Sequence, residues 1–343
     1  MKKLLNTLYI TSAGAVLSKE NKRVLISRDD KPKIRVPFHT LAGIVCFGPV
    51  RCTADLMGAC IGHDISIIYL SVYGRFLAKV QGLVSGNVVL RREQYRKADI
   101  PKIAAAVARR CIAAKLANCR NLLLKTQEEQ ETVNSLPEIK ESINYLASRV
   151  RLLPFLNTVE KLRSMQGAGT RHYYAIFDHL ICEQKKDFHF VQRAPKPPKD
   201  PTNALLSFYY TLLTHDMCSA LESVGLDPAV GYLHKDQPGR PGLALDLMEE
   251  LRPYMVDRFV LSLINKKHVQ KEDFKKTQSG GCFLTDEARK KILPLYQKEK
   301  QQSIYHPFLK ETMPIGLLPY AQAELFARYI DGEIKAYPAF HWK

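Results

Sequence analysis

Hydrophobic positions change rhythm once along this chain. Up to about position 90 they come in short runs, LLNTLYIT, GAVLSK, RVLISR, GIVCFG and ISIIYL, rich in β-branched and aromatic residues and separated by Asn, Asp, Gly, Pro and Lys. Runs of this length between turn-forming residues predict strands. One segment, TADLMGACIGHD from Thr53 to Asp64, breaks the pattern and predicts a helix before the strand ISIIYL, which a YGRF turn follows. From Pro101 the run PKIAAAVARRCIAAKLANCRNLLLK is rich in Ala and Leu, with proline placed for a first helical turn, and long helices are expected onward. Gln127 to Lys140 is charged and poor in large apolar groups, which predicts a solvated helix end or loop. RAPKPPKDPTN, from Arg193 to Asn203, holds four prolines and two lysines and predicts an exposed basic loop. The expected fold is α+β: a small N-terminal β-domain over 1–92, a linker over 93–100 and a larger all-α domain over 101–343.

Composition narrows the partners. At 343 residues and 39.0 kDa the chain exceeds what one core usually supports, which agrees with two domains. Lys and Arg number 51 against 34 Asp and Glu, a net charge of +17, so the partner class is a polyanion such as nucleic acid or an acidic membrane surface. No apolar stretch is long enough to span a bilayer, and the first residues lack the apolar core of a signal peptide, which makes the cytoplasm the expected location and a membrane role unexpected. The eight cysteines form no CxxC pair and read as buried, reduced thiols. Trp342, beside the C-terminus, is assigned no role.

Taken singly, the polar residues have ordinary explanations. His234 reads as a satisfied loop histidine, and His39, His63, His172, His179, His189 and His215 read the same way. Glu249 reads as a helix carboxylate paired with Arg252, with Asp246 on nearly the same face as a rival, and Pro253 predicts a kink at Glu249. Gln166 is a polar residue ahead of GAG, and Asn203 is a candidate helix N-cap. Tyr173, Tyr174 and Phe177 have helical spacing and read as core, as do Leu205, Leu206, Leu212 and Leu213.

Three ordered strings change that picture: SMQGAGTRHYYAIFDHLI (Ser164 to Ile181), DPTNALLSFYYTLL (Asp200 to Leu213) and LHKDQPGRPGLALDLMEELRPYMVDRFVLSLIN (Leu233 to Asn265). Together with GRFLAKVQG and GNVVLRREQY they resemble the CRISPR-associated integrase/endonuclease family, the universal spacer-acquisition subunit, and the sequence texture points to a bacterial type I system. The resemblance covers essentially the whole chain. It implies a metal site of His234, Glu249 and position 166, where the family has Glu and this chain has Gln166. One imidazole with carboxylate oxygens suits Mn²⁺ or Mg²⁺, an ion that would support phosphodiester hydrolysis or strand transfer. Losing one carboxylate charge predicts a folded, DNA-binding, catalytically impaired protein. The resemblance further implies Arg171, Lys235, Arg240 and Arg258 as phosphate contacts, Asn203 as a residue orienting the site, and double-stranded and branched DNA as ligand. It also implies a homodimer joined through the β-domains, a small second CRISPR adaptation protein completing a heterohexamer, and a RecB-like accessory nuclease. The alternative it leaves is a non-catalytic DNA-capture scaffold.

Overall fold

A computed structural model of the chain describes residues 6–28, 32–72, 75–80, 82, 88–130, 136–194, 197–278 and 280–342. The N-terminal part holds two four-stranded sheets. In the first, β1 (Asn6–Ile10), β5 (Leu41–Phe47) and β7 (Ser66–Leu70) run parallel, and β8 (Phe76–Val80) closes the sheet antiparallel to β7. In the second the order is β4 (Ile34–Pro37), β3 (Arg23–Ser27), β2 (Val16–Glu20), β6 (Arg51–Cys52). Helix α1 (Ala54–Gly62) lies over this layer, capped by Thr53, whose hydroxyl accepts from the Leu56 N–H. That is the helix expected before ISIIYL. Part of the expected YGRF turn lies outside the described residues.

The first sheet is buried on both faces. Ile44, Cys46 and Ile67 pack with Leu17, Val24 and Leu56 in a small core, while Val45, Phe47, Ile68 and Leu70 point to the large helical core. Alternate residues of a strand face opposite sides, and a sheet covered on both sides reads as an unbroken apolar run. GIVCFG and ISIIYL have that character for this reason.

The stretch 93–100, expected as a linker, is mostly helix: α2 spans Val88–Ala98, and Ile100 caps α3 (Pro101–Glu129). The first domain boundary therefore falls inside an element. At 29 residues α3 is the central helix, about 44 Å long at 1.5 Å per residue. Around it pack α4 (Pro137–Leu152), α5 (Val159–Ala175), α6 (Pro201–Ser223), α7 (Gly242–Met248), α8 (Arg258–Asn265), α9 (Asp286–Gln301) and α10 (Leu318–Asp331). The larger part is not purely helical, since β9–β10 (Phe274–Lys276, Cys282–Leu284) and β11–β12 (Ser303–His306, Glu311–Pro314) form two short hairpins. Trp342 is packed: its backbone N–H donates to Asn118 Oδ1 at 2.8 Å, its ring centroid lies 4.8 Å from that of Tyr254, and Lys125 Nζ sits 4.7 Å from its ring. Among the described residues no helix is long and apolar enough to cross a membrane.

Candidate active site

The site is assembled where a loop is pressed onto the start of α7. A Cβ on Gly242 would lie 2.6 Å from the Ala229 carbonyl oxygen, and one on Gly231 would lie 2.8 Å from Gly242 C and 2.9 Å from the His234 carbonyl oxygen. Only glycine at both positions permits this approach. It brings the buried Asp246 carboxylate under the loop. Oδ2 accepts from the Tyr232 N–H at 2.6 Å and the Leu233 N–H at 2.8 Å, and Oδ1 accepts from the His234 N–H at 3.0 Å. Oδ1 also lies 2.6 Å from His234 Nδ1. With Nδ1 donating, the neutral imidazole keeps its lone pair on Nε2, the arrangement by which a carboxylate orients a functional histidine. Both Asp246 oxygens are thus engaged, Oδ1 by His234 and Oδ2 by the backbone that leads to it.

Glu249 follows the last turn of α7, where the α-helical hydrogen-bond pattern gives way to the π-helical turn Pro253–Asp257 while the backbone at Glu249 and Arg252 stays helical. The carboxylate is 2% exposed. Oε2 lies 2.6 Å from Lys115 Nζ and Oε1 3.2 Å from Arg252 Nη1. Burial alone would raise its pKa, but Arg252 and Lys115, with a smaller contribution from His234, hold it down at about 2. The Arg252 pair matches the ordinary reading of Glu249, whereas Lys115 was missed. Its signal was a single lysine inside the Ala, Cys and Leu run of α3, now 7% exposed.

Gln166 lies on α5, partly exposed. Three positions before it, Arg163 donates to the Leu233 carbonyl oxygen; three positions after it, a Cβ on Gly169 would sit 2.5 Å from Leu116 Cδ2, beside Lys115. Positions three apart on a helix share a face, so Gln166 lies on the stripe turned toward the His234 loop and α3. The GAG sequence serves close helix packing at its second glycine.

A cleft of about 1050 Å³ adjoins these residues, bounded by Lys115, Thr170, Arg193, Arg240 and Arg252, with Phe76 and Lys79 from the edge strand β8. At its wall Tyr173 and Tyr210 donate to Asp257, the former at 3.0 Å, and the Tyr174 and Tyr210 hydroxyls are 2.8 Å apart. Burial raises Asp257 to about 6 against the pull of these hydrogen bonds. Tyr173 and Phe177 are buried as expected of core residues, and so are Leu205, Leu206, Leu212 and Leu213 of α6.

Two of the expected site residues, Asn203 and Arg258, are engaged within the fold. Asn203 is fully buried: Oδ1 accepts from Arg193 Nη1 at 2.7 Å and the Ala194 N–H at 2.9 Å, and Nδ2 donates to the Gln192 carbonyl and Asp200 Oδ2. It staples the proline-rich loop to α6, and the N-cap is Asp200, which accepts from the Asn203 N–H at 2.7 Å. Arg258 is ion-paired with Glu299 and stacked on Tyr254. Arg171 and Lys235 are exposed, and Arg240 borders the cleft.

A family model described as CRISPR associated protein Cas1 matches residues 8–298. A CRISPR-associated endonuclease Cas1 from Chlorobaculum tepidum is 46% identical over 343 residues, covering 100% of both chains. The chain belongs to the Cas1 family. Its fold is likewise that of a casposase solved bound to an integration product, at a TM-score of 0.85 and 18% identity over 99% of this chain and 95% of that one. A Cas6-RT-Cas1–Cas2 complex contains a chain with the same fold, at a TM-score of 0.81 and 22% identity, covering 100% of this chain and 36% of that one. Against this Cas1 background the donor set can be judged. Among the described residues no three His, Cys, Asp or Glu side chains gather where they could hold a metal ion. The one available carboxylate, Glu249, already faces two cations, and Gln166 offers a carbonyl oxygen without charge. These residues do not fit a firmly held divalent ion.

Proposed function

We propose that this Cas1 chain captures double-stranded and branched DNA and presents its 3′ ends at a CRISPR repeat, as an integrase weakened by Gln166. The observation that carries this reading is the buried Glu249 carboxylate, shared by Lys115 and Arg252, two of the cations that line the cleft, beside a histidine fixed by Asp246. Arg171, Lys235 and Arg240 hold strand phosphates, a role that their charge allows, together with the exposure of Arg171 and Lys235 and the place of Arg240 beside the cleft. Lys115 and Arg252 place positive charge where a phosphodiester gathers negative charge, and the His234 Nε2 lone pair is free to accept a proton from an attacking hydroxyl. His234, Glu249 and a Glu at position 166 would form the family's site for Mn²⁺ or Mg²⁺, which would supply Lewis-acid polarisation of the phosphoryl group.

The partners in this proposal are a second copy of the chain, joined through the β-domains, and a small Cas2-type protein in a heterohexamer. The Cas1–Cas2 assembly of the fold neighbour supports the second partner. A RecB-like nuclease that trims the captured DNA is a further partner. A scaffold without chemistry is the second reading, favoured by the uncharged Gln166 side chain and the preoccupied Glu249. Strand transfer of a labelled duplex into a repeat-bearing plasmid, with Mn²⁺ and the partner protein, separates the two. Joining by the Gln166→Glu chain well above the parent supports the weakened integrase. No joining by either, with DNA binding retained, leaves the scaffold.

A further inference from the structure

A second cavity, of about 470 Å³, opens on the other side of α3. At about 100° per residue, Ala106, Arg110 and Ala113 fall on the face of this helix opposite Lys115. The floor is apolar, formed by Ala106, Ala113, Val150 and Leu153, with the Tyr329 and Tyr337 rings as walls. The rim is cationic and no acidic side chain lines the cavity. Arg109 donates from Nη2 to the Leu156 carbonyl oxygen at 2.8 Å, and its buried Nε has no partner. Arg110 and Lys335 are exposed and enter no ion pair among the described residues.

The closing wall is held in place before any ligand arrives. Tyr337 donates to Glu250 Oε1 at 2.7 Å, and the Asn118 amide bridges the Glu250 and Phe340 carbonyl oxygens at 2.7 and 2.9 Å. The C-terminal segment that completes the cavity is therefore pinned to α3 and to the turn after α7. A preformed concave site within the usual range of roughly 300–1,000 Å³, lined by apolar residues and by exposed cationic side chains, is suited to a small ligand with a flat apolar part and an anionic part.

We propose that this cavity binds a nucleotide, with the base on the apolar floor beside Tyr329 and the phosphate at Arg110 and Lys335. Inorganic phosphate would engage the rim and leave the floor unfilled; an uncharged aromatic compound would leave the cations unused. The nucleotide comes either free from solution or as the terminal unit of a DNA strand lying on this basic protein.

Calorimetric titration of the full chain with dAMP tests this. Saturable single-site binding is expected, and inorganic phosphate at the same concentration should not reproduce it. Arg110→Glu and Lys335→Glu should each weaken dAMP by about tenfold, the loss of one charge-assisted phosphate contact, without lowering the melting temperature. Ala113→Leu, which fills the floor, should abolish binding. Displacement of dAMP by single-stranded DNA assigns the pocket to a strand-end nucleotide, and failure to displace it assigns a free nucleotide; either supports the site. No saturable dAMP binding, equal binding of phosphate alone, or dAMP affinity untouched by both charge reversals overturns the proposal.

Discussion

Exchanging Asp246 for Asn keeps the side chain's size and halves what it can accept. Four N–H groups converge on the carboxylate, two on each oxygen: Tyr232 and Leu233 on Oδ2, the His234 backbone and ring on Oδ1. A carboxamide must turn its NH₂ toward one of these pairs. If it faces Tyr232 and Leu233, two buried backbone donors lose their acceptor. If it faces His234, the ring can respond by moving its proton to Nε2, so that Nδ1 accepts from the amide and only the His234 backbone N–H is stranded. A buried unsatisfied donor costs about 1–3 kcal/mol, so the second orientation wins and Asp246→Asn should destabilise the fold by about 2 kcal/mol. The tautomer shift is the sharper readout. In ¹⁵N spectra of histidine-labelled protein, at a pH where the ring is neutral, His234 should change from an Nδ1–H to an Nε2–H pattern, and the lone pair facing outward should be lost. Urea unfolding measures the stability term. An Asn variant with unaltered stability and an unaltered His234 tautomer would refute the view that Asp246 sets this ring.

Gly169→Ala should cost about 1–3 kcal/mol, because its methyl group would meet Leu116 Cδ2 at 2.5 Å in a packed helix contact; thermal unfolding of the variant checks this. His215 lines the cleft with its ring 5.3 Å from Phe76, and burial, aided by Lys79 and opposed by Asp216, lowers its pKa from 6.5 to about 4. The unfolded chain takes up this proton first, so stability present above pH 6.5 should decline by up to roughly 3 kcal/mol as the pH falls to 4; unfolding followed against pH should show this slope, and His215→Leu should flatten it. Trp342→Ala should cost about 3 kcal/mol by emptying the space between Tyr254 and Lys125, and limited proteolysis should then release the C-terminal segment earlier than in the parent chain.

What the sequence made legible followed from local pattern. The strands of the first sheet and the long helix α3 announced themselves through apolar runs and a proline at the helix start. Helix α2 did not, because VVLRREQYRKA buries only Leu90 and Gln94. It is held by a side-chain amide: Gln94 Nε2 donates to the Asp227 carbonyl at 2.8 Å and Oε1 accepts from the Asp227 N–H at 2.9 Å. Such polar docking leaves no apolar period to read. The hairpins β9–β10 and β11–β12, with three- and four-residue strands, are too short to stand out. At the site, His234, Asp246 and Glu249 share one string and could be read together, although only the structure separates the orienting carboxylate from the ion-paired one. Lys115, more than a hundred positions away, could not be assigned to Glu249 by spacing.

The charges around Glu249 also bear on what position 166 must supply. Glu249 faces Lys115 and Arg252, and Asp257, raised to about 6 by burial, acts on the same two cations, so the four groups sum to zero above that pH and to +1 below it. A carboxylate at position 166 would add a negative charge on the helix face turned toward this group, and Gln166 does not. Buried charges are tolerated only when balanced, and Glu249 and Asp257 already balance the two cations above about pH 6. On the proposed reading, a divalent ion needs the further anionic oxygen that Glu at 166 would supply, and Gln166 withholds it.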